Sequence, residues 1–376
     1  MPDALGARFS INFFEAMTPQ PLRFHEIDLL RGIACLSVLA FHYLWRGPST
    51  HAMQGIDFPL AQSIASYGYL GVQLFFVISG FVILMSAHGA TPRNFFASRV
   101  ARLYPALWVA ASLTAGTAWF LRDAHFSVSF YDYLINLTML AHWFDTPFVD
   151  GAYWSLGYEL HFYIFVWLAM RFGLMARIQW LLAAWLLISA INAIRPMWPI
   201  ELWLNARWAP FFVAGGVFYL IRTSGVTLAR LGLLTVSFSL ALIYTAAHEQ
   251  THTSATGPGL MPSPVVALIL TCIFVTFWLI ATCRLHMKAS ALTYYAGALT
   301  YPVYLLHQNF GFMLFGQLSS AWDNVLVAML STLTVVLVIS WAINAVIERP
   351  LGRLIRRAIS APALANLQPN LRSDRL

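Results

Sequence analysis

Charge is scarce in this 376-residue chain: Asp, Glu, Lys and Arg together make up 10% of it, where soluble domains carry about a quarter. A chain so poor in solvated groups cannot cover a globular surface, which excludes a soluble domain as its main body. Cysteine is nearly missing too. Cys35, Cys272 and Cys283 all fall within apolar runs, so they read as small buried thiols and supply no disulfide framework. Residues 1–28 hold acids and prolines without a short apolar core, unlike a cleaved signal peptide. No repeat of fixed period, low-complexity tract or appended soluble domain stands out.

What is present in quantity is apolar sequence, at 59% of residues with a mean hydropathy of +0.68. Runs of about 17 to 25 residues recur from Leu29 onward, each long enough to cross a bilayer as a helix. Isolated strands are excluded, because unpaired backbone groups cannot be hidden in lipid. The expected fold is all-α, a polytopic bundle of about ten transmembrane helices over 29–46, 66–88, 104–121, 152–172, 178–194, 207–222, 226–247, 264–283, 291–318 and 324–347. Residues 130–144 read as an interfacial segment. This makes 1–28 a cytoplasmic N-terminal segment, 29–347 the membrane domain and 348–376 a basic cytoplasmic tail, disordered beyond Ser360.

Basic residues test that map independently. With both termini cytoplasmic, the inside loops and tails hold Arg8, Arg23, Arg93, Arg99, Arg102, Arg171, Arg177, Arg222, Arg230, Arg284, Lys288 and six C-terminal arginines, while the outside loops hold only Arg46, Arg122, Arg195 and Arg207. The net charge of +7 is thereby an orientation signal, with Arg349, Arg353, Arg356 and Arg357 against anionic headgroups. Nucleic-acid binding is not needed to explain it. Trp45, Tyr67, Tyr104, Trp143, Tyr153 and Trp208 at span edges fit an aromatic belt.

An ionisable side chain in hydrocarbon costs several kcal/mol unless it faces the bundle interior, so each one is a candidate site residue. Arg31, His42, Glu159, His161, His307 and, at a span end, Glu348 qualify. Arg31 and His42 share one helix face, roughly 16 Å apart along the axis. By helix rise His42, Glu159 and His307 come to one layer in the outer half of the bilayer. His161, two residues from Glu159, faces the other way and reads as structural. At the inner surface Arg99 and Arg102 sit side by side at i, i+3. Paired guanidiniums grip phosphate oxygens, so these two with Arg31 suit an anionic carrier such as coenzyme A, although they equally fit ordinary orientation arginines.

Taken in order, these residues resemble the acyltransferase-3 family of bacterial membrane O-acyltransferases, which includes polysaccharide and lipopolysaccharide O-acetyltransferases. Arg31 and His42 look like its R-x10-H motif, Gly71 to Phe81 like its second-span signature, and Arg99 with Arg102 like its R-x-x-R motif. Trp154-Ser155-Leu156 with Glu159 and Phe162-Tyr163 is similar to its W-S-L-x-x-E-x-x-F-Y pattern, and Tyr301 to His307 to its late Y-x-x-Y-L-x-H stretch. Gln73 departs from the Asp that many members carry, and the chain ends too soon for the hydrolase-like domain that many add.

The resemblance implies transfer of an acyl group, most simply acetyl, from cytoplasmic acyl-CoA to a hydroxyl of a glycan or glycolipid in a bacterial inner membrane. Acyl-CoA is then a donor substrate, with no permanently bound cofactor and no metal. His42 would be the general base, Glu159 and His307 its partners in catalysis, and Arg31, Arg99 and Arg102 the donor-binding groups. Ser79 is a possible covalent relay, though a serine beside Gly80 more often serves close helix packing. Two other readings compete. His248-Glu249-Gln250-Thr251-His252 matches the H-E-x-x-H pattern of zinc proteases, but at a span end and without a third ligand. A buried His and Glu cluster in a helical bundle also suits a proton-coupled small-molecule transporter, although no paired broken spans point to inverted repeats.

Overall fold

A backbone surrounded by lipid must satisfy its own hydrogen bonds, and apolar runs of this length do so as helices. The computed structural model describes residues 23–122, 125–252 and 263–360, the last five before the gap at 253–262 as backbone only, and every regular element among them is helical. The main helices are α1 (His25–Ala40), α2 (Leu70–Ala87), α3 (Pro92–Leu121), α4 (Phe130–Asn136), α5 (Trp154–Arg171), α6 (Ile178–Ile194), α7 (Ala209–Ser224), α8 (Leu228–His252), α9 (Pro264–Ala281), α10 (Ala291–Leu306), α11 (Asn309–Ala321), α12 (Val325–Ala342) and α13 (Arg349–Ser360). The side chains of the His248 to His252 motif, Arg8, and the tail beyond Ser360 lie outside the described residues.

Among the described residues seven stretches are long and apolar enough to cross a membrane: His25–Ser49, Pro59–Ala87, Leu174–Ile194, Trp198–Ser224, Leu228–Ala247, Pro264–Ala281 and Val325–Ser360. The other three expected spans coincide with α3, α5 and the α10/α11 pair, whose apolar runs are diluted by tyrosine, tryptophan, hydroxyl-bearing and ionisable residues.

α2 forms the centre. It is apolar all round because it is buried along nearly its whole length, Gln73 and Ser79 included. Its tightest neighbour is α7. A Cβ on Gly80 would stand 2.2 Å from the Phe212 carbonyl oxygen, and one on Gly215 2.0 Å from that of Val77, so only glycine permits this backbone approach. α1 packs on α2 from one side and on α10 from the other.

Three irregularities shape what this core encloses. α1 runs into a π-helical turn, Phe41–Arg46, which contains His42; such a turn re-aims the side chains it carries and is frequent at functional sites. A second π-helical turn, Ile343–Glu348, joins α12 to α13. The third corrects the sequence reading. The single ninth span expected over 291–318 is two helices, because the chain breaks at His307 and Gln308, the latter at φ −88°, ψ −88°. Pro302 inside α10 adds a local defect: lacking an N–H, it frees the Ala298 carbonyl, and the Asn344 side-chain amide donates to that oxygen at 3.2 Å. Hydropathy detects neither feature, since the stretch stays apolar throughout.

Candidate active site

The helix break and the first π-helical turn bring two imidazoles together. His307 Nε2 lies 3.1 Å from His42 Nδ1, with ring centroids 4.8 Å apart. The surrounding carbonyls decide the protons. His307 Nδ1 is 2.8 Å from the Tyr304 carbonyl oxygen and so donates to it, which leaves Nε2 as an acceptor. His42 Nδ1 carries the matching N–H, shared with the Val38 carbonyl at 2.9 Å. Nε2 of His42 is left unprotonated. His42 lines a cavity of about 580 Å³, so a base is presented there with its tautomer set from behind.

The position of His307 is in turn held by a carboxylate that sequence reasoning missed. Asp150, fully buried, accepts from the Ala152 amide at 2.9 Å and from the Asn309 amide at 2.8 Å, so one side chain caps both the turn leading into α5 and the start of α11. The Asn309 side chain answers by donating to the Val149 carbonyl at 3.1 Å. Gly151 fits against Gln308 so closely that a Cβ would stand 2.1 Å from its side-chain nitrogen. Burial pushes the Asp150 carboxyl up to about 7, while the amides of Ala152, Asn309 and Phe310 hold it down. As an acid in a loop before the W-S-L segment, Asp150 carries no signal of depth, and only the fold reveals its partner 159 residues away.

The cavity that His42 lines is walled by aromatic rings, among them Trp45, Tyr69, Trp154, Tyr158 and Trp208, with Arg46, Glu201 and Arg207 at its polar places. Trp154 and Trp208 lie 5.3 Å apart by ring centroid. Flat faces with a few fixed polar groups suit a ligand that is apolar on its faces and polar on its edges, as a sugar ring is.

A second, smaller cavity of about 100 Å³ adjoins it and is lined by Arg31, Ser79, Arg99, Arg102, Glu159 and Tyr163. All three sequence-predicted arginines therefore meet. Two already have acidic partners. Arg31 lies 3.5 Å from Asp28, which also pairs with Arg23 at 2.5 Å, and Arg102 pairs with the buried Glu348. Glu348 is held in place by the Asn344 amide at 3.0 Å. Among the described residues Arg99 carries no ion pair; its guanidinium lies over the Phe95 and Tyr163 rings.

Glu159 belongs with these arginines rather than with the imidazoles. Its carboxylate accepts from Ser79 Oγ at 2.9 Å and from the Tyr163 hydroxyl. His161 stands apart, its ring 4.3 Å from that of Trp143. The two cavities share two lining residues, Val72 and Tyr304.

Fold and site together define a multi-pass membrane protein with a histidine pair beside the larger of two adjoining cavities. The chain belongs to the acyltransferase-3 family, whose acyltransferase-domain profile matches residues 24–345. Among curated relatives, ORF330 of Acidianus two-tailed virus, named for an expected acetyltransferase activity, is 32% identical over 169 residues, covering 44% of this chain and 46% of its own. The Regulator of hypoxia-inducible factor 1 of Caenorhabditis elegans is 27% identical over 173 residues, 40% of this chain and 34% of its own. Acyltransferase MdmB of Streptomyces mycarofaciens is 29% identical over 238 residues, 56% of this chain and 60% of its own. The chain thus spans between about a third and three fifths of the relatives it matches. No solved structure matches significantly.

Proposed function

We propose that this protein is a membrane O-acyltransferase that moves an acyl group, most simply acetyl, from cytoplasmic acyl-CoA to a hydroxyl of a glycan or glycolipid. It would cross the bacterial inner membrane ten times with both termini in the cytoplasm, so that the arginine-lined cavity opens inward. The observation that carries the reading is the base at His42, set by His307, in an aromatic-walled cavity that shares Val72 and Tyr304 with a cationic one.

On this reading Arg99 takes donor phosphate directly, and Arg31 and Arg102 share theirs with Asp28 and Glu348. The pantetheine arm threads the narrow inner cavity and the acceptor ring stacks in the outer one. His42 Nε2 removes the proton of the acceptor hydroxyl as its oxygen attacks the thioester carbonyl carbon. The C–S bond then breaks, and the imidazolium returns that proton to the departing thiolate. Glu159 orders Ser79 and Tyr163 beside the donor path.

Glycans and glycolipids from cells with and without the gene, compared by mass spectrometry, test the assignment. We expect an acetyl increment that disappears with the protein. Identical acyl content, joined to solute flux through proteoliposomes without acyl-CoA, would instead make it a carrier.

A further inference from the structure

Donor and acceptor enter from opposite sides, so the thioester carbonyl and the attacking hydroxyl must meet where the two cavities adjoin. That boundary is formed by Val72 and Tyr304, the two residues that line both, and only Tyr304 has a proton to donate. Its ring lies 5.4 Å from that of His307 by centroid, one ring away from the base at His42, and packs edge-on against Phe75 at 5.7 Å. Its hydroxyl is 2.6 Å from Ser155 Oγ. Ser155 gives its own proton to the Ala152 carbonyl at 3.2 Å, so the phenol is the donor of the pair.

We propose that Tyr304 is a further catalytic residue, whose hydroxyl leaves Ser155 and donates to the oxyanion that forms when the acceptor attacks the thioester. The inference rests on the acyl-transfer reading above. As the new C–O bond forms, the carbonyl π pair moves onto oxygen in a site walled by aromatic rings. Water is a poor partner there, and a fixed donor is worth more than it would be in solvent. On collapse that electron pair re-forms the carbonyl, the C–S bond breaks, and the phenol returns to Ser155. The hydroxyl thus keeps its proton throughout, while His42 carries the one in transit.

Two variants separate this from a structural latch between α5 and α10. Tyr304→Phe keeps the ring on Phe75 and removes only the donor; Ser155→Ala keeps the donor and removes only its resting partner. With purified protein, acetyl-CoA and a glycan extract of the source cells, followed as thiol released, Tyr304→Phe should lower kcat by about 100-fold or more with KM for acetyl-CoA unchanged. Ser155→Ala, which breaks the same hydrogen bond but keeps the donor, should lose far less kcat than Tyr304→Phe for a similar fall in melting temperature. Equal losses in both variants, or an unaffected Tyr304→Phe, would overturn the oxyanion role and leave the acyl-transfer reading standing. Absence of any turnover in the wild type would overturn both.

Discussion

At the scale of single residues, pairing separates groups that sequence position treats alike. Arg99 and Arg102 are neighbours in one motif, yet Arg102 is bonded to a buried carboxylate and Arg99 is not. Removing Arg102 leaves the buried Glu348 with the Asn344 amide but without its counter-ion, a loss between those of exposed and buried pairs because Arg102 itself is partly exposed. Arg102→Ala should therefore destabilise the protein by about 2 kcal/mol, seen as a lower melting temperature in detergent. Arg99→Ala should leave stability alone and raise KM for acyl-CoA, since it would supply uniform binding energy. The reverse pattern would exchange their roles. His42, Glu159, His307 and the three arginines were all legible as candidates, because ionisable groups in lipid stand out against an apolar background. Their pairings were not. Asp28 sits at a span end, where a charge is unremarkable, and although Glu348 stood among the candidates, nothing in the order of residues says which guanidinium each will meet.

Among elements, the informative ones are those that depart from regular helix. Hydropathy located the apolar runs well, and Gly80, beside which Ser79 was read as a packing residue, does lie against the backbone of α7. It passed over the π-helical turn at His42 and the break at His307, since both lie in stretches that stay apolar. Helix rise placed Glu159 level with His42, whereas the structure gives it Ser79 and Tyr163 as partners; equal depth fixes neither the face of a helix nor the tilt between two of them.

The break depends on Asp150, which gives it a pH signature. A carboxyl raised on folding from its free value of about 4 binds its proton more tightly in the folded state, so stability falls as pH rises from about 4 to 7. Asp150→Asn removes that titration and, with one fewer acceptor, loosens one of the two helix starts. Its melting temperature should be flatter over that pH range than that of wild type. Its kcat should also fall by about tenfold or more, because a shift of about 1 Å in His307 misdirects His42. A wild-type slope retained in the variant would place the titration elsewhere.

For the whole molecule, the scarcity of charge, the asymmetry of arginines and the motif order led to a polytopic helical bundle of the acyltransferase-3 family, and the family profile covers the chain from residue 24 to 345. The three expected spans that are less apolar, α3, α5 and the α10/α11 pair, are also those that bring Arg99, Arg102, Glu159, Tyr304 and His307 to the site. Polar content that weakens a hydropathy signal is the same content that builds a reaction chamber, so sequence is least decisive about topology where function is concentrated.

The most direct measurement is the single-turnover rate of acetyl-CoA consumption by His42→Ala, purified and shown by its melting profile to be folded, beside wild type with the same glycan extract. We expect a loss of at least about 1000-fold, since general-base catalysis contributes up to about 10⁴, with binding of acetyl-CoA retained. Transfer at a rate near that of wild type would contradict a base at His42, and with it the role given to the histidine pair.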